Sequence, residues 1–342
     1  MATDLTVPDP SIVVDLLQGF RRSKAMFAGV RLGVFDALSS GAANVDSLAQ
    51  RLGCCPSALT TLLDALVGLN LLNKVDGNYV NTPVAATYLT TSSQRRMTGY
   101  INYSNDVMWK MWGSLEGAVR EGSSRWKEVF GWDEPIFSSF FKTEEAAREF
   151  LMGMHGFGVM SSPAVVAALP LEQFQRLIDL GGATGHLSIA ACQRYPHLKA
   201  VVFDLPQAVP LAIEITSQCS VADRIEVVCG DFFEDELPRG DLYALGRILH
   251  DWALPKIQVL LKRIYSALPA GGGVFIAEKM LADDKLGPSW AQMQSLNMLV
   301  CTEGTERTLL EYEALLMDAG FVNIVGCRTP TPIDGILGYK PS

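Results

Sequence analysis

Residues 176–190, RLIDLGGATGHLSIA, decide the fold. An apolar run from Leu177 to Leu180 breaks at Gly181, Gly182 and Gly185, and HLSIAACQRYP then spaces its apolar residues as a helix does. That is a strand passing through a tight glycine turn into a helix. The same grammar repeats downstream. KAVVFDLP, RIEVVCGDFF, DLYALGRIL and GGVFIAEKM read as strands, with QAVPLAIEIT and LPKIQVLLKRIYSAL as helices between them. Such alternation predicts an α/β fold, a Rossmann-like, doubly wound, mostly parallel sheet with helices on both faces. TLLEYEALLMDAGF adds a late helix, and VNIVGCRT and DGILGYK two antiparallel strands.

Working outward, residues 1–110 obey a different rule. SIVVDLLQGFRRSKAMFAGVRLGVFDAL spaces apolar residues three and four apart, as a helix pair does. VDSLAQRLGCCPSALTTLLDALVGLNLL reads as two helices joined at GCCPS, and the Asp-Gly of KVDGNYVNT marks a hairpin. Helix, turn, helix and hairpin make a winged-helix outline. DNA binding is not expected of it, because SALTTLLDALVGL carries no Lys or Arg to reach phosphates or base edges. Residues 111–165 are expected to be connecting helices, and 166–342 the sheet domain.

The whole chain agrees with that exclusion. Its 342 residues have a net charge of −9, against a nucleic-acid partner. MATDLTVPDP reads as a loose acidic tail rather than a signal peptide, and no apolar run of about 18 residues suggests a membrane span. Seven scattered cysteines without a CxxC pair fit neither a disulfide framework nor a metal site. A reduced, cytoplasmic setting with no metal is the expectation.

Three consecutive strands deliver ligand-type residues to one edge. Gly181, Gly182 and Gly185 follow the first, Asp204 ends the second, and Asp231 with Phe232 closes the third. The carboxyl edge is where open α/β sheets bind ligands, and an acid about twenty residues past the glycines suits a ribose diol. The bland reading of the glycines is a tight turn packing helix on strand. LGGATG departs from G-x-G-x-x-G, so a dinucleotide fits less well than the adenosine of S-adenosyl-L-methionine, which has no pyrophosphate to seat. His250, in LGRILHDW, falls on the same edge; alone it could equally be a histidine opening the next helix.

DLGGATGHLSIA, VVFDLPQ, GDFF, RILHDW, PAGGGVFIAEKML and EGTERTLLEYEALLMDAGF, in that order, resemble the class I S-adenosylmethionine-dependent O-methyltransferases of the plant caffeate type. VREG, LP-x-x-DLY and SLNMLV-x-TEG-x-ER are similar to the acetylserotonin O-methyltransferase-like branch. The resemblance covers nearly the whole chain. It implies S-adenosyl-L-methionine as cofactor, S-adenosyl-L-homocysteine as product, and a homodimer through the N-terminal domain, with Met26 and Phe27 reaching toward the partner's pocket.

By the same resemblance His250 is the general base, with Glu278 and Glu306 as its carboxylate partners. Gly181, Gly182, Asp204, Leu205, Gly230, Asp231 and Phe232 match the cofactor contacts. The plant-type lysine four residues before the base is replaced by Gly246, leaving Arg247 as the available cation. The acceptor, a small aromatic hydroxyl, is expected against Asn297, Met298 and Asp251, with Trp109, Trp112, Phe157 and Met160 as walls. His155 is a further candidate for facing it, while His186 and His197 read as structural. Two other functions compete: a relative repurposed for non-methylating chemistry, and a cofactor-sensing winged-helix regulator.

Overall fold

The computed structural model describes residues 8–132, 141 and 143–342. Most of the expected N-terminal tail, residues 1–7, lies outside them. The chain divides into two compact units, residues 1–106 and 107–342, so the expected connecting segment 111–165 falls within the second.

The first unit is helical with one hairpin. The expected helix pair is one long α1 (Ser11–Arg31) and a single turn, α2 (Val34–Ala37), parted at Gly33, whose φ of 76° is left-handed. Asn44 caps α3 (Val45–Leu52) by accepting the Ser47 N–H, Gly53 ends it, and Pro56 opens α4 (Pro56–Gly68). Strands β1 (Leu72–Val75) and β2 (Asn78–Asn81) pair antiparallel around Asp76 and Gly77, both at positive φ, as a two-residue hairpin requires. Helices α5 (Pro83–Tyr88) and α6 (Thr98–Tyr103) follow. Leu59, Leu63 and Leu66 of α4 pack on Val34, Phe35, Leu48 and Tyr79. Of α1 only Gly29 is buried, and Ile12, Val13, Val14, Leu16, Leu17 and Phe20 are all exposed within this chain.

The second unit begins with the short helices α7 (Trp109–Trp112), α8 (Leu115–Glu121) and α9 (Trp126–Phe130), then the long α10 (Glu144–Ala167). By length and composition α10 could cross a membrane, which corrects the expectation that no segment would pass that test. It packs instead on the helix after the glycine turn, with Leu151, Phe157, Val165 and Val166 buried. Then come β3 (Arg176–Leu180), α11 (His186–Arg194), β4 (Lys199–Asp204), α12 (Val209–Ser217), β5 (Ile225–Cys229), β6 (Leu242–Gly246), α13 (Leu254–Ala267) and β7 (Gly273–Glu278). Helices α14 (Ser289–Cys301) and α15 (Leu309–Asp318) precede β8 (Val322–Cys327) and β9 (Asp334–Tyr339).

The seven strands run β5-β4-β3-β6-β7-β9-β8. The pairs from β5 to β7 are parallel; β9 is antiparallel to both β7 and β8. This is the doubly wound, mostly parallel sheet that the sequence predicts, closed at one edge by an antiparallel pair. Side-chain alternation sends Ile178, Leu180, Tyr243, Leu245, Val274 and Ile276 into one core, and Leu177, Leu242, Ala244, Phe275 and Ala277 into the other. The order reverses at β3: β4 and β5 lie to one side, β6 and β7 to the other. The crevice this opens at the carboxyl edge is where the glycine turn, the β4 end and the segment after β6 converge.

Candidate active site

Each strand of that edge hands over a short backbone extension. Gly181 N–H donates to Phe203 O at 2.8 Å, Gly230 N–H to Asp204 O at 2.9 Å, and Arg247 N–H to Ala277 O at 3.0 Å. The sheet ladder therefore continues past the strand ends and fixes the loops that follow. Gly181 has φ 65°, and a Cβ there would stand 2.5 Å from Ile248 Cδ1 and 3.4 Å from the Phe232 ring. Only glycine leaves that space open. Asp204, at the tip of β4, accepts the Ala183 N–H on Oδ2 and the Leu205 N–H on Oδ1, each at 2.7 Å. It ties the glycine turn to its own strand and retains free lone pairs on both oxygens. Burial raises its pKa to about 6, against those two hydrogen bonds. Asp231 lies two residues past β5, and its carboxylate accepts the Phe233 N–H at 2.8 Å.

Beyond β6 the chain does not pass straight into a helix. Arg247 adopts φ 59° and a 3-10 turn, Leu249–Asp251, swings the His250 ring inward until it is 4% exposed. Glu278 and Glu306 are buried beside it. His250 Nδ1 is 2.7 Å from Glu306 Oε1, and the His250 backbone N–H donates to Glu278 Oε1 at 3.2 Å. The Tyr312 hydroxyl, from α15, donates to the other Glu278 oxygen. Nε2 lies 3.7 Å from the Asp251 carboxylate. The trio comes within 4.8 Å, close enough to ligate a metal, but its contacts are those of a hydrogen-bond chain.

The electrostatics follow from that packing. Burial works against a charged His250, but the carboxylates of Glu306 and Asp251 outweigh it and hold the ring pKa up at about 9. Burial lifts Asp251 to about 6, opposed by the charge on His250, and raises Glu278 as well. Glu306 Oε2 is buried with no hydrogen-bond partner among the described residues.

Glu306 sits in the loop before α15, whose N-cap is Thr308, rather than in the first helical turn. Its N–H donates to Ser295 Oγ at 3.2 Å, and the neighbouring Arg307 bonds the carbonyls of Leu249 and Trp252. Helix α14 is thereby clamped beside the histidine; a Cβ on Gly304 would lie 2.1 Å from the His250 carbonyl. Asn297 accepts the Trp112 indole N–H at 2.9 Å. Met298 is buried, the Phe157 ring lies tilted against Trp290 with centroids 6.0 Å apart, and the Arg247 guanidinium lies 5.9 Å from the Phe157 ring. Met160 is exposed, and Trp109 is 37% exposed. His155 bonds Thr184 in the glycine turn at 2.8 Å, and His186 bonds Ser162 at 2.9 Å. Met26 and Phe27 are half-buried against the core of the first unit.

The sequence reading missed Tyr312, Ser295, Trp290 and Thr184. In LLEYEALL a tyrosine is indistinguishable from a core position; only Trp290 and Asn297, seven residues apart, carried a same-face signal.

Two family models cover these units. Residues 112–322 match an O-methyltransferase domain, and residues 14–91 an O-methyltransferase dimerisation domain, which supports a homodimer. The chain is 39% identical to the acetylserotonin O-methyltransferase of Bos taurus over 337 residues, 96% of this chain and 97% of that one. The crystal structure of human N-acetylserotonin methyltransferase in complex with S-adenosylmethionine superposes with a TM-score of 0.93 at 35% identity, covering 99% and 100% of the two chains. PigF, solved with S-adenosylhomocysteine, gives 0.90 at 29% identity, covering 98% and 100%.

Proposed function

The chain belongs to the S-adenosylmethionine-dependent O-methyltransferases of the acetylserotonin family, and from that premise we propose that it methylates the hydroxyl of a small aromatic acceptor, with His250 as the base. The observation that carries the reading is the buried His250–Glu306 contact of 2.7 Å on the cofactor edge.

The residues at the edge suit the cofactor. The side-chain-free face of Gly181 meets the Phe232 ring, as a flat adenine needs, and Asp204 offers spare lone pairs to a ribose diol. Gly182, Leu205, Gly230 and Asp231 line the same edge, and Arg247 supplies a cation beside it. When bound there, the sulfonium supplies an activated methyl group and a neutral leaving group.

What remains is work for the chain's own side chains. Glu306 accepts the Nδ1 proton, which fixes the tautomer and leaves the Nε2 lone pair to take the hydroxyl proton. A phenol titrates near pH 10. A histidine at about 9 is close to that, so proton transfer is nearly level, whereas an unperturbed imidazole near 6.5 would face a gap of about 3.5 in pKa. The ring is then largely protonated at neutral pH in the free chain; a positive charge brought to the same edge draws its pKa down. Burial of the trio excludes the water that would compete for that proton.

The test is methyl transfer from labelled S-adenosylmethionine to a panel of phenols, hydroxyindoles and aliphatic alcohols, read by mass spectrometry. Aromatic hydroxyls are expected to be methylated and alcohols not. His250→Ala should bind cofactor normally in calorimetry and lose about 100-fold or more in kcat, in the range general-base removal produces. Wild-type turnover by that variant across pH 6 to 9 would rule the histidine out as base.

A further inference from the structure

We propose that Trp112 is a positioning residue that locks the Asn297 amide with its NH2 group toward the acceptor, so that the site selects acceptors carrying a neutral carbonyl or ether oxygen besides the reacting hydroxyl. This rests on the aromatic-hydroxyl reading and deepens it. That Asn297 meets the acceptor is implied by the family resemblance; its enforced orientation, and a second donor beside it, are not.

An isolated asparagine amide can flip, exchanging donor for acceptor. The indole N–H is a donor only, so its 2.9 Å contact settles the matter: Oδ1 must face Trp112. The Cys301 thiol, one turn on, points at the same oxygen from 3.8 Å. Nδ2 is left on the other side, and among the described residues it donates to no protein group.

Gln294 repeats the feature one turn earlier. Its Nε2 is buried and has no hydrogen-bond partner among the described residues. Trp290, Gln294, Asn297 and Cys301 follow each other at helical spacing along α14, so they share one face. That face is walled by Phe157 against Trp290 at one end and adjoins the His250 turn at the other, where the Glu303 N–H lies 3.4 Å from the Asp251 carbonyl. Two amide donors with no protein partner among the described residues, on an otherwise aromatic and thiol surface, call for an oxygen acceptor. The three carboxylates of Asp251, Glu278 and Glu306 outnumber the cations His250 and Arg247 beside them and disfavour an anionic one. A neutral oxygen satisfies both conditions.

The test measures binding, so it does not depend on turnover. The dimer loaded with S-adenosylhomocysteine is titrated calorimetrically with N-acetylserotonin and with 3-ethyl-5-hydroxyindole, the same ring without the amide. Wild type should bind the amide probe about three- to tenfold more tightly, the range of one or two neutral hydrogen bonds. Trp112→Phe keeps the aromatic wall and removes the N–H; it should reduce the preference to within about twofold, as should Asn297→Leu, with S-adenosylhomocysteine affinity unchanged. In 15N spectra the Trp112 indole resonance, assigned by its loss in Trp112→Phe, should move in Asn297→Leu. Equal affinity for the two probes, binding of neither, or an intact preference in Trp112→Phe overturns the proposal. Selective binding without methyl transfer from S-adenosylmethionine supports it and counts instead against the methyl-acceptor reading.

Discussion

His250 is poised by opposing influences, and the balance is testable. Burial alone would make it a weaker base than free imidazole; the Glu306 and Asp251 charges reverse the sign and set it at about 9. A group whose folded pKa is raised contributes stability that is full below its unfolded value, near 6.5, and fades as pH climbs through about 9. The same shift places the ascending limb of kcat/KM for the free enzyme above neutrality. Glu306→Gln keeps the shape and removes the charge, so that limb should move to lower pH by about one unit or more, with the maximal rate reduced. A pH profile that keeps its limb in the variant would mean that some other group sets it. The motif RILHDW placed the histidine at the carboxyl edge and supplied the neighbouring Asp251; the rest of the pKa came from Glu306 and Glu278, 56 and 28 residues away in sequence, closing around it.

Between elements, a close fit lies where α10 crosses α11. A Cβ on Gly158 would stand 2.2 Å from the half-buried His186 ring, which Ser162 holds by its Nδ1. Alanine is the better helix former by about 1 kcal/mol, yet overpacking a rigid ring costs about 1–3 kcal/mol. The sterics therefore win: Gly158→Ala should lower the melting temperature, and adding His186→Ala should recover part of the loss. If Gly158→Ala is neutral or stabilising, the two helices are less tightly joined than this contact requires. Periodicity predicted α10 and α11 as helices. Periodicity could not say that Gly158 would face the His186 ring. His155 shows the same limit: its place in the helix was legible, whereas its bond to Thr184 in the glycine turn depended on how two helices pack.

At the scale of the molecule, α1 leaves Leu16 and Leu17 72% and 62% exposed in one chain, beside Ile12 and Phe20. Contiguous apolar surface of this kind marks an interface, and the dimerisation-domain match at residues 14–91 covers most of it. Leu16→Glu combined with Leu17→Glu should shift the protein to monomer in light scattering while far-ultraviolet circular dichroism stays the same. A dimer that persists would exclude this face as the contact. Local pattern alone determined the strands, the helices, the glycine turn and the acid at the end of β4, because hydrophobic period and turn chemistry act over a few residues. It determined the doubly wound sheet too, since parallel strands admit few connections. Only the tertiary structure decided that Tyr312 holds Glu278, that Ser295 holds Glu306, and that Trp112 fixes Asn297. Those contacts join residues 11 to 185 apart, and their geometry exists only once the sheet has brought the two ends of each contact together.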